Sequence, residues 1–161
     1  MWKAVDDGAV PKDLLDAALA VVPKQPGELR QGSTAALFRF QYNDGLVGAV
    51  LMLPEFAGGI STALKFKGER RILATRFEER SEPSYPHFAW LLKGIERMIH
   101  TGRASYPVER SILSSGLLDW LLTSRIQDHA RLATPELAIR YQPVDYPHAP
   151  EPDLSADPAR Q

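Results

Sequence analysis

The chain has 161 residues, 44% apolar and 24% charged, a balance that fits one soluble globular domain. Its formal net charge of -1 provides no general attraction to nucleic acid or an anionic membrane. The absence of cysteine excludes disulfides, thiolate metal sites and cysteine nucleophiles, and fits a reducing compartment such as the cytoplasm.

The N-terminal "MWKAVDDGAVPKD" lacks the basic and apolar regions of a secretory signal. No window approaches the roughly 18 apolar residues that span a bilayer. Pro11 is placed to start a helix, and "KDLLDAALAVV" carries Leu14, Leu15, Ala18, Leu19 and Val22 at helical spacing up to Pro23. Four strand-like runs follow. "STAALFRFQY" and "LVGAVLML" flank Asn43-Asp44-Gly45, a three-residue hairpin signal. "ISTALKFK" and "RRILATRFEE" meet around Gly68-Glu69 as a second hairpin.

Pairing the first hairpin about Asp44 puts Ala36, Phe38, Phe40 and Tyr42 on one face, opposite Met52, Val50, Gly48 and Leu46. Phe40 then covers Gly48, an aromatic–glycine cross-strand pair. The other face holds Leu37, Arg39 and Gln41 with Val47, Ala49 and Leu51, so neither face is polar enough to be left in water. Helices of the chain cover one face in this reading, and the second is available for oligomerisation.

The second half reads as helical. Pro86 opens "HFAWLLKGIERMIHTG", where Phe88, Leu91, Leu92, Ile95, Met98 and Ile99 form a stripe and Gly102 is the stop. Pro107 opens a second helix through "VERSILSSGLLDWLLTSR". There Glu109 favours the positive end of the helix dipole, Leu113, Leu117, Trp120 and Leu121 share a face, and Gly116 permits close approach. Residues Glu136 to Gln142 read as a last strand, and the proline-rich residues 144–161 as an extended or disordered tail. The expected fold is α+β, a mainly antiparallel open sheet of about five strands with helices on one face.

Chemistry is thinly signalled. His87, His100, His129 and His148 show no metal-ligand spacing, and Glu96 with His100 reads as a surface ion pair. The serines near Gly116 form no nucleophile elbow, and no glycine-rich phosphate loop occurs. Glu109-Arg110 reads as helix-start chemistry rather than an acid/base pair. Lys65 to Arg71, "KFKGERR", reads as a solvated basic turn, with an anionic ligand the minor alternative. Phe38, Phe40 and Tyr42 read as packing residues rather than an RNA platform.

The helical half nevertheless resembles the end of Gfo/Idh/MocA (glucose-fructose oxidoreductase / inositol dehydrogenase-like) oxidoreductases. The pattern P-V-E-R-S/T-x-L-x-S/T-G-x-L-D/E falls on Pro107, Val108, Glu109, Arg110, Ser111, Leu113, Ser115, Gly116, Leu118 and Asp119. T-P-x-L-x-I-x-Y falls on Thr134, Pro135, Leu137, Ile139 and Tyr141. The opening "MWKAVDDGAVPKDLLDAALA" also looks like an internal stretch of such proteins, so the resemblance covers roughly residues 1–143.

It implies the C-terminal α+β domain of such an enzyme, without its N-terminal Rossmann domain. That domain would serve in substrate binding and oligomerisation, on a sugar or polyol substrate, and would not be catalytic alone. NAD or NADP is implied for a full-length parent and none for this chain. No glycine-rich fingerprint, E-K-P motif or D-x-x-x-H pair is present, so no catalytic, cofactor or metal residue carries over. The implied partners are a second copy through the sheet face and a Rossmann domain in cis or trans, with no nucleic acid and no membrane. For substrate contact the only candidates are polar residues near the sheet, Arg39, Lys65 and Arg76. The competing expectation is a free-standing binding or structural module using the sheet face for a protein partner or a small anionic ligand.

Overall fold

A computed structural model describes residues 1–77 and 87–144, with His87 by its backbone alone. The chain divides into two compact units, Met1–Glu79 and Arg80–Gln161. The fold class is α+β, with four helices and two antiparallel hairpins among the described residues.

The first unit begins with α1 (Trp2–Asp6) and α2 (Lys12–Ala20). Helix α1 was not legible in the sequence, because five residues are too short to show a helical period. Pro11 caps α2 from outside the helix, where its missing N–H costs nothing. Arg30 reaches back to α1 with a bidentate pair to Asp6, at 2.9 and 2.7 Å, and lies over the Trp2 ring.

Strands β1 (Ala36–Gln41) and β2 (Val47–Met52) form the first hairpin. The register pairs Ala36 with Met52, Phe38 with Val50 and Phe40 with Gly48, as the sequence pattern requires. Gly45 adopts φ +92, its N–H bonds to Tyr42 O at 3.0 Å, and Tyr42 N–H bonds to Leu46 O at 2.8 Å. That is the three-residue loop ending in a left-handed glycine. The Phe40 ring occupies the space over Gly48, where a Cβ would stand 2.3 Å from its Cζ. Leu37 and Leu51, on the opposite face, pack on the core.

Strands β3 (Ile60–Lys65) and β4 (Ile72–Phe77) form the second hairpin, whose turn carries Gly68 at φ +86. The hairpins do not join into one five-stranded sheet; among the described residues each is a separate two-stranded sheet. The link between β2 and β3 is the cause. Leu53 to Ala57 make a helical turn, and residues 55, 56 and 58 bond to residues 23–27 instead: Gln25 N–H to Phe56 O, Gly27 N–H to Glu55 O, Gly58 N–H to Pro23 O.

The core of this unit is Val5, Val10, Leu15, Leu19, Val22 and Leu53. Leu15 and Leu19 lie one turn apart on α2, and the remaining side of α2 packs on β3 and β4.

In the second unit, α3 (His87–Thr101) stops at Gly102 (φ +63) and α4 (Val108–Ile126) follows Pro107, both as the sequence predicts. Ser105 Oγ donates to Gly94 O at 2.6 Å, tying the connecting turn to α3. The predicted last strand is instead a 3-10 turn, Pro135–Leu137, followed by irregular chain. Leu137 N–H bonds to Thr134 O and Ile139 N–H to Leu137 O, so local turns take the hydrogen bonds a ladder would need. The side-chain alternation survives without the strand. Leu137, Ile139 and Tyr141 are half-buried between exposed neighbours, and Leu137 lies on Gly116, where a Cβ would stand 2.6 Å from its Cδ2. The close approach expected at Gly116 is therefore present, with the 3-10 turn as its partner. The proline-rich tail from residue 145, together with His148 and Pro86, lies outside the described residues.

Gly27 marks the tightest backbone contact of the first unit, because a Cβ there would fall 2.2 Å from Glu55 O. Backbone cannot swing aside as a side-chain end can. Gly27→Ala is expected to destabilise this unit by about 1–3 kcal/mol, the range of forced overpacking, read as a lowered urea midpoint at unchanged m-value.

Candidate functional site

The second hairpin presents two unlike faces. Alternation along β3 and β4 puts Ser61, Ala63 and Lys65 on one side with Arg76, Ala74 and Ile72. This side meets α2: Ser61 Oγ donates to Ala18 O at 2.8 Å, and Lys65 Nζ pairs with Asp13 Oδ2 at 2.7 Å. The other side carries Ile60, Thr62 and Leu64 opposite Phe77, Thr75 and Leu73. Its four large apolar side chains are exposed by 54% (Ile60), 49% (Leu64), 39% (Leu73) and 54% (Phe77). Phe66, next in the alternation, extends the patch towards the turn and is also exposed.

The second hairpin is thus clamped by a helix on one face and apolar on the other. The first hairpin repeats the theme, with Leu46, Val50 and Met52 exposed on the face that also bears Phe38 and Phe40. On that face Phe40 and Tyr42 meet edge to face with centroids 5.5 Å apart. Isolated surface aliphatics are ordinary, whereas a contiguous set on one sheet face marks an interaction surface.

The three candidate substrate residues do not converge. Arg39 stands on β1 opposite Ala49, exposed, in the other sheet. Lys65 and Arg76 share the α2 side of the second hairpin, but four residues of strand separate their rungs, about 13 Å. Lys65 is engaged by Asp13. The bond from Lys65 holds the Asp13 carboxyl below its usual value of 3.8, helped by the N–H of Leu14. Asp6 is lowered in the same way by the guanidinium of Arg30, whose own pKa rises. These ion pairs staple elements together: α2 to β3, and α1 to the loop before β1.

In the turn, Glu69 N–H bonds to Phe66 O at 3.1 Å, and Lys67, Arg70 and Arg71 are exposed. In the second unit, His100 Nε2 lies 3.9 Å from Glu96 Oε1 on the surface, the ion-pair geometry the spacing implies. His129 sits just past α4 with φ 64, beside Asp128 at φ 54, and its N–H closes on Ser124 O at 2.8 Å. Arg110 lies over the Tyr106 ring at 4.6 Å, which uses the guanidinium at the start of α4 for packing.

A shallow depression with about 10 Å³ of enclosed space is lined by Leu29, Gly32, Thr34, Leu53 and Glu55 among others. It is smaller than the roughly 300 Å³ at which small-molecule sites begin. Within it Thr34 Oγ1 donates to Glu55 Oε1 at 2.8 Å, joining the segment before β1 to the link after β2. Among the described residues no group of three His, Asp or Glu side chains is placed to hold a metal ion. Nor, among them, is any helix long and apolar enough to cross a membrane. Comparison of the chain with protein-family models, curated proteins and solved structures returns no match.

The sign of the pH dependence follows from Asp13 and Asp6. Their folded pKa values lie below the unfolded value of 3.8, so their stabilising contribution is present above that value and is lost as pH falls beneath it. Both pairs are exposed, so the effect is modest and screened by salt. Denaturant midpoints measured from pH 6 downward should decline below about pH 4. In Asp13→Asn/Lys65→Met the decline should be shallower than in the parent.

Proposed function

We propose that this chain is a binding and oligomerisation module, not catalytic alone, whose open sheet face takes a second copy of the chain. The observation that carries this reading is the outer side of the β3–β4 hairpin, where Ile60, Leu64, Leu73 and Phe77 form one exposed apolar surface backed by α2. Water-exposed apolar area of this kind is recovered on association at about 25 cal/mol per Å².

The wider assignment is the substrate-binding and oligomerisation domain of a Gfo/Idh/MocA-type oxidoreductase acting on a sugar or polyol. It rests on the motif resemblance alone. On this reading NAD or NADP belongs to a Rossmann domain in cis or trans, and Arg39, Lys65 and Arg76 remain the proposed substrate contacts. Nucleic acid and membranes have no part in it. The compartment proposed is the cytoplasm, where a cysteine-free chain needs no oxidative folding. A second reading is a free-standing binding or structural module that uses the sheet face, or the basic turn Lys65 to Arg71, for a protein partner or a small anionic ligand.

Light scattering across a concentration series tests the main reading. The parent is expected to associate. Leu64→Asp or Leu73→Asp should weaken association roughly 30-fold or more, as loss of a central interface residue does. A parent that stays monomeric at high concentration contradicts the proposal. Calorimetric titration with NAD and NADP is expected to show no tight binding to this chain, and a tight complex would refute the placement of the cofactor site elsewhere.

A further inference from the structure

The β3–β4 hairpin is charged unlike the rest of the chain. Residues 60–77 hold five cations, Lys65, Lys67, Arg70, Arg71 and Arg76, against one carboxylate, Glu69, in a chain whose net charge is -1. Asp13 takes Lys65. The other four cations are exposed, and among the described residues no ion pair engages them.

Strand β4 is also an open edge. Among the described residues it pairs with β3 alone, so alternate backbone N–H and C=O groups on its other side have no strand to bond to. Every residue from Leu73 to Phe77 is exposed, whereas Ser61 to Ala63 of β3 are half-buried. Edge and charge coincide, because Arg70 and Arg71 lead into β4 and Arg76 lies within it.

The two sides of that edge differ. Leu73 and Phe77 lie on the apolar side of the hairpin, and Arg76 lies on the side that meets α2. A strand laid along the edge continues both sides, so the matching strand alternates apolar and acidic residues, with its carboxylates on the Arg76 side. A shift by one residue would set those carboxylates beside Leu73 and Phe77, so the alternation also fixes the register. We infer, resting on the second reading above, that the β4 edge takes an extended acidic segment of a partner protein by strand addition. This edge contact leaves the outer face of the hairpin free for the second copy proposed above.

Fluorescence anisotropy of the full chain with a labelled nine-residue peptide alternating Glu and Val tests this. Binding is expected, and a peptide with Lys in place of Glu is expected not to bind. Arg76→Glu, or Arg70→Glu with Arg71→Glu, should weaken the Glu–Val peptide roughly tenfold or more. All three positions are exposed, and circular dichroism checks the fold of each variant.

N-methylated peptides separate strand addition from charge attraction alone, and they use the parent chain, so they decide even where a variant fails to fold. Methylating one alternate set of residues, whose N–H groups meet β4, should weaken binding roughly tenfold, and methylating the other set should change it by about twofold at most. Equal effects of the two sets overturn the inference and leave the anion-binding reading standing. Absence of Glu–Val peptide binding also overturns it. Titration with inorganic tripolyphosphate then tests the basic turn as an anion site, which falls too if that anion does not bind. Tighter binding of a single-stranded oligonucleotide of equal charge overturns the acidic strand in favour of nucleic acid.

Discussion

The first unit hangs on Leu53. Five of the six buried aliphatics, Val5, Val10, Leu15, Leu19 and Val22, come from its first 22 residues, and only Leu53 enters the cluster from the strand half. Through it, and through the half-buried Leu37 and Leu51 beside it, the first hairpin is tied to the helical N-terminus, while the second packs directly on α2. Because the interior is filled from one side, each hairpin anchors a fraction of its apolar residues and presents the rest outward. The open faces of β1–β2 and β3–β4 follow from that geometry. Burying apolar area is the main favourable term in folding, and these faces leave part of it uncovered.

The charged side chains fit the same picture. Arg30 clamps Asp6 while stacking on Trp2, Lys65 holds Asp13, and Arg110 covers Tyr106. Each joins a helix end to a neighbouring segment or a ring. Where catalytic sites converge several titratable groups on one point, these pairs are scattered over the surface, one per junction. Their role is to fix the elements that frame the apolar faces. Lys65 illustrates this best, since its bond to Asp13 is the tether of β3 to α2.

Local rules made much of this legible in advance. Asn43-Asp44-Gly45 set the loop length, the loop set the register, and the register placed Phe40 on Gly48 without any tertiary information. Helices α2, α3 and α4 were marked by proline at the start and, for α3, glycine at the end. Sequence pattern could not say what each face meets. The alternation of Leu137, Ile139 and Tyr141 is a strand pattern, yet strand structure needs a neighbour to complete its hydrogen bonds, and turns formed in its place. Likewise the α3 stripe was visible as a period, but periodicity does not reveal whether a stripe points into its own unit or away from it. The separation of the two hairpins was hidden for a similar reason, since it depends on residues 23–27 capturing the backbone of 55–58.

The central claim is that the apolar face of β3–β4 is covered by association. Amide hydrogen–deuterium exchange of the full chain, followed by peptide over a wide range of protein concentration, reports on that hairpin directly. Protection of residues 60–77 that rises with concentration, while residues 12–20 stay constant, is the predicted result. Exchange in residues 60–77 that does not change with concentration would contradict it.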